Sequence, residues 1–96
     1  MDKDRVRAFA DKVYADTAGA MAAGMAYVGT KMGLFRAMAG KGRMRVEEVT
    51  HASGLKSRYV EEWLKGMASA GYLHYRPTDQ TFELPEAHAY RVEKGI

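Results

Sequence analysis

Residues 46–75 read VEEVTHASGLKSRYVEEWLKGMASAGYLHY, and the spacing of their apolar side chains decides the fold. Val46, Val49 and Ala52 share one face of a short helix from Val46 to Ser53. Gly54 is suited to end that helix, with Leu55 as a hydrophobic anchor behind it. Ser57 stands where a capping side chain is wanted, ahead of a helix running to about Ala70 with Val60, Trp63, Leu64 and Met67 on its buried stripe. Gly71 stops it. Leu73 and Tyr75 then alternate with Tyr72, His74 and Arg76. Pro77-Thr78-Asp79-Gln80 makes a turn, and Phe82 and Leu84 alternate with Thr81 and Glu83. Two helices across a turn, followed by a hairpin, predict a winged helix-turn-helix over residues 31–85.

Upstream, Arg43-Met44-Arg45-Val46 suits a short strand, and Gly40-Lys41-Gly42 the turn before it. The stretch Ala18 to Ala39, AGAMAAGMAYVGTKMGLFRAMA, reads as one helix that is apolar on nearly every side. Met21, Met25, Val28, Met32 and Phe35 form one stripe, Tyr27, Leu34 and Met38 a second, and Ala22, Ala26, Gly29 and Gly33 a small-residue ridge. A helix hydrophobic all round is buried all round, and a short chain has few elements with which to bury it. Residues Asp2 to Asp16 read as a separate amphipathic helix with Val6, Phe9, Ala10, Val13 and Tyr14 on its apolar side. Asp16 or Thr17 is then the cap of the long helix, with a kink near Gly19. Downstream, Pro85 closes the hairpin and Glu86 to Glu93 begins another helix. The expected fold is mainly α: a winged helix-turn-helix with extra N-terminal helices and a small β-hairpin wing. Residues 1–96 form a single domain, with N-terminal helices over 1–39, helix-turn-helix and wing over 40–85, and the start of a linker helix over 86–96.

The bulk properties exclude several classes. The 96 residues contain no cysteine, so disulfides and cysteine-based metal or redox chemistry are ruled out, and a cytoplasmic setting is the expected one. The start, MDKDRVRAF, has no signal-peptide core. No apolar run reaches the 18 or so residues of a membrane span. A net charge of +3 permits a nucleic-acid partner without arguing for one.

The helix-turn-helix raises DNA binding as an alternative function, with Lys56, Ser57, Arg58 and Lys65 at the duplex. Against it, Glu61 and Glu62 share the recognition face and would repel phosphates, and the wing tip Thr78-Asp79-Gln80 carries an acid and no base. The basic run Lys31, Arg36, Lys41, Arg43 and Arg45 reads as a solvated surface. Gly40-Lys41-Gly42 lacks the spacing of a phosphate loop, and the dinucleotide pattern fails at Arg45. His51, His74 and His88 have no zinc spacing. The adjacent acids Glu47-Glu48 and Glu61-Glu62 point apart on a helix and form no acid/base pair.

KMGLFRAMAG at residues 31–40, then Val46–Tyr75, then FELPEAHA at residues 82–89, resemble the N-terminal winged-helix domain of S-adenosylmethionine-dependent methyltransferases. The most specific piece is Arg58-Tyr59-Val60-Glu61-Glu62-Trp63-Leu64 with Ala70-Gly71-Tyr72-Leu73. The resemblance implies a domain that makes the dimer and covers the substrate side of a catalytic domain, in an enzyme that methylates a small acceptor. It departs at Arg45, where a capping Ser or Thr often precedes the short helix. The family's catalytic residues, its glycine-rich loop and its ribose-binding acid have no counterpart here. No cofactor is therefore expected on this chain, although the resemblance implies S-adenosylmethionine for a full-length enzyme. The expected partners are a second copy of the chain, through Phe9, Val13, Ala22, Ala26 and Gly29, and a C-terminal catalytic domain. Met21, Met25, Tyr27 and Met32 are the candidate substrate-pocket wall.

Overall fold

The computed structural model describes residues 1–93; residues 94–96 lie outside the described residues. Helix α1 spans Lys3–Lys31, α2 Leu34–Met38, α3 Val46–Ser53, α4 Ser57–Ser69 and α5 Glu86–Glu93. Strands β1 (Arg43–Met44), β2 (His74–Arg76) and β3 (Thr81–Glu83) form one antiparallel sheet in the order β1-β3-β2. The mainly helical winged-helix fold expected from residues 46–75 is the fold observed. The wing gains β1 on its far side, with Met44 opposite Phe82 and Phe82 in turn opposite Tyr75.

The N-terminal region departs from the expectation of two helices joined near Gly19. α1 is one continuous helix of 29 residues, capped by the Asp2 carboxylate, which accepts from the backbone N–H groups of Asp4 and Arg5. Asp16 and Thr17 cap nothing. They lie within the helix, and Asp16 instead pairs with Lys12 at 2.8 Å. Ala18, Ala20, Ala22 and Ala23 flank Gly19 and carry the helix through it, alanine being the best helix former. The break falls at Gly33, whose φ of +79° is a left-handed conformation that other residues resist. That turn directs Leu34, Phe35 and Met38 into the core, where they are buried.

The core lies between α2, α3, α4 and the sheet. Leu34, Met38, Val49, Val60, Leu64 and Met67 are fully buried, with Phe35, Trp63, Leu73 and Phe82 nearly so. Phe35 meets Trp63 edge-on at 5.0 Å between ring centroids. α4 starts at Ser57 with Lys56 in the cap position, so Ser57 is its first turn and not its cap. α3 begins without a capping Ser or Thr. The Glu48 carboxylate reaches back to accept from the Arg45 backbone N–H at 2.8 Å, satisfying one of the donors that such an end exposes. α5 folds back on the domain, burying Ala89 and Val92. The His88 Nδ1–H donates to the Tyr72 carbonyl at 2.8 Å, which ties α5 to the segment leading into the wing.

Candidate functional site

α1 meets the domain only through its C-terminal third. There it crosses α4 closely, because a glycine on each helix makes room for a large side chain on the other. Gly29 faces the Trp63 indole, and a Cβ at Gly29 would stand 2.9 Å from Cε2 and Nε1 of that ring. Gly66 of α4 faces the end of the Met25 side chain. The Trp63 Nε1–H donates to the Met25 carbonyl at 2.9 Å, fixing the crossing with a partner for the one polar atom of the indole. Ala26 is fully buried and Gly29 buried at this contact. Two residues expected between copies of the chain are thus occupied within it. Of the same set, Ala22 is half-buried and Phe9 and Val13 are exposed.

Beside the crossing lies an open groove of about 470 Å³. Met21, Met25 and Val28 of α1 form one wall, and Tyr59 and Trp63 of α4 form the floor and the other wall. Met21 and Met25, both candidates for a pocket wall, come together here. Tyr27 and Met32 do not line this groove: Tyr27 lies under the Lys31 ammonium at 5.6 Å, and Met32 caps the end of α1. Sequence reasoning missed Tyr59, which carries no periodic signal, and Gly66, whose role shows only once α1 is placed against α4.

The rest of α1 stands clear of the domain. Every residue from Lys3 to Ala20 is exposed, including Val6 at 52%, Phe9 at 68%, Val13 at 47% and Tyr14 at 78%. The expectation of a separate N-terminal helix over Asp2 to Asp16 is therefore corrected: these residues extend the same helix. The accessible surface is 6930 Å², against about 5,500 Å² for a compact monomer of this mass. The radius of gyration is 15.7 Å, against about 12.5 Å for a compact chain of this length.

The helix-turn-helix face has a different character. Lys65 pairs with Glu61 at 3.0 Å and Arg58 with Glu62 at 3.6 Å, each one turn apart on α4. Two of the three cations proposed for DNA, Arg58 and Lys65, are thus paired with acids beside them, and Lys56 is exposed at the start of α4. Between α4 and the wing is a polar cleft of about 300 Å³, lined by Arg45, Glu47, Glu61, Lys65 and Asp79 among others. Asp79 accepts from Arg76 and from the Thr81 hydroxyl, the latter at 2.7 Å. Those hydrogen bonds, the Arg76 one foremost, hold its carboxyl well below the usual carboxylate range. The wing tip therefore keeps its negative charge at any physiological pH.

The basic run does not assemble. Arg43 pairs with Glu83 at 2.9 Å and donates to the Thr81 hydroxyl at 3.0 Å, while Lys41 donates to the Ala37 carbonyl. Among the described residues no group of three His, Asp or Glu side chains could hold a metal ion. The Gly40-Lys41-Gly42 turn is not built as a phosphate loop: it leads into a strand of two residues instead of following one, and Lys41 N is bonded back to the Met38 carbonyl. No helix among the described residues is long and apolar enough to cross a membrane.

Fold and surface together define a winged helix-turn-helix protein with most of its large exposed apolar side chains on its leading helix. Within that class, the chain belongs to the Rv2258c-like winged HTH domain family, whose model matches residues 20–94. Among solved structures it is similar to the mitomycin 7-O-methyltransferase MmcR, with a TM-score of 0.72 and 21% identity. That match covers 90% of this chain and 25% of the methyltransferase, so this chain spans about a quarter of its length. The winged-helix fold read from the sequence is carried by both comparisons. No curated protein matches the chain.

Proposed function

We propose that this chain is the dimerisation and substrate-capping domain of a small-molecule S-adenosylmethionine-dependent methyltransferase. The observation that carries the reading is the uncovered apolar side of α1. Leaving several large apolar side chains in water forgoes about 1.5–3 kcal/mol each, a large sum beside a domain's total stability. A second copy supplies the same surface in return and closes the assembly. The groove at Met21, Met25 and Trp63 is the concave apolar surface suited to part of a pocket wall over a small acceptor. The catalytic centre and the S-adenosylmethionine site belong to a C-terminal catalytic domain beyond these residues, in a cytoplasmic enzyme. The MmcR match, which leaves three quarters of that enzyme uncovered, supports this division.

Calorimetry tests the cofactor half of the reading. Residues 1–96 titrated with S-adenosylmethionine are expected to give no binding heat, and a stoichiometric isotherm would contradict the division of labour.

A further inference from the structure

Val6, Ala10, Val13, Thr17, Gly24 and Val28 are all exposed, and at about 100° per residue they fall within about 60° of one another along α1. These six are uncharged, with the exposed Lys31 closing the strip at its C-terminal end, and the stripe turns away from Ala26 and Gly29, which face the core. Its side-chain sizes are symmetric about Thr17. Val6 and Val28 lie equally far from it, as do Ala10 and Gly24, and Val13 and Met21, the last just outside the stripe. Reversing the helix therefore sets large against large and small against small. The groove walled by Met21, Met25 and Val28 flanks the C-terminal arm of this stripe, and the unburied Val6 and Val13, with Phe9 beside them, occupy the N-terminal arm.

We propose that α1 pairs antiparallel with α1 of a second copy, about a two-fold axis near Thr17, each N-terminal half lying in the other's groove. This rests on the dimer reading above and specifies its geometry. Val6 packs on the partner's Val28, Val13 on the partner's Met21, and Phe9 reaches the partner's Met25 and Trp63. At the crossing, Ala10, Thr17, Ala20 and Gly24 let the axes come near the short end of the usual 8–10 Å range. The surplus of about 1,400 Å² over a compact monomer exceeds the roughly 800 Å² per partner that a stable interface buries. An antiparallel pair also opposes the two helix dipoles, whereas a parallel pair aligns them. A parallel pair would in addition leave both grooves without an N-terminal half to fill them.

The chain has no cysteine, so single cysteines report the geometry directly. Thr17→Cys, Val6→Cys and Val28→Cys each replace an exposed residue. Under mild oxidation, Thr17→Cys is expected to link to itself as a covalent dimer. Val6→Cys and Val28→Cys are each expected to link poorly alone and strongly when the two are mixed. Self-linking of Val6→Cys and Val28→Cys as complete as that of Thr17→Cys would mean a parallel pair and would overturn this geometry while leaving the dimer intact. A dimer in which none of the three links would overturn it in the same way. A chain that sediments as a monomer would remove the geometry and the dimer reading together.

Discussion

Gly29 and Trp63 set how α1 sits on the domain, and their contact can be probed from both sides. In an exposed helix interior, Gly→Ala is worth about 0.5–1 kcal/mol in favour of alanine. At Gly29 the added methyl would land on the indole, and overpacking of that kind costs about 1–3 kcal/mol. Gly29→Ala is expected to lower stability by about 1 kcal/mol in chemical denaturation. Gly19→Ala, with nothing within 4 Å of its new Cβ, is expected to raise it by about 0.5–1 kcal/mol. Equal effects of one sign would mean that the crossing is looser than described. From sequence, Trp63, Leu64 and Met67 were legible as core because helical periodicity marks them. The partner of Trp63 was not, because a glycine in a ridge of small residues looks the same whether a second copy or the chain's own α4 lies over it.

Among the elements, α4 and the wing were legible nearly residue for residue, since turn residues and alternation bound each one. The N-terminal helix was not, because a glycine inside an alanine-rich run and one at a true break read alike until φ is known. The elements also bear on what the winged helix presents to a nucleic acid. With Arg58 and Lys65 paired to Glu62 and Glu61, an anisotropy titration at about 0.15 M salt is expected to show no affinity tighter than the 10⁻⁴–10⁻⁶ M of non-specific binding. A sub-micromolar, sequence-dependent affinity would contradict this. The wing carries its own pH signature. Asp79 has a depressed folded-state value, set first by its hydrogen bonds to Arg76 and then to Thr81. Its contribution is therefore present above the ordinary carboxylate pKa of about 3.9 and is lost as the pH falls from there through the folded-state value. Protection of the β2 and β3 amides, taken relative to the intrinsic exchange rate at each pH, is expected to fall selectively below about pH 4, and Asp79→Asn should abolish that acid dependence. A wing whose exchange is indifferent to Asp79→Asn would show that the cluster does not hold the turn.

At the scale of the molecule, the excess of apolar helix was legible from composition and periodicity alone, while its direction was not. Leu34, Phe35 and Met38 left the long helix for the core, and the N-terminal residues joined it. The uncovered side is consequently the stripe from Val6 to Val28, and not the ridge of Ala26 and Gly29. Val13→Asp puts a charge into that stripe twice per dimer. It is expected to weaken self-association at least tenfold, the equivalent of about 1.4 kcal/mol, while far-ultraviolet circular dichroism of the dilute protein keeps its helical signal. Sedimentation equilibrium of the unmodified chain at micromolar concentration tests the central claim most directly. The account predicts a species of twice the 10.7 kDa chain mass, and a well-folded monomer of 10.7 kDa would contradict it.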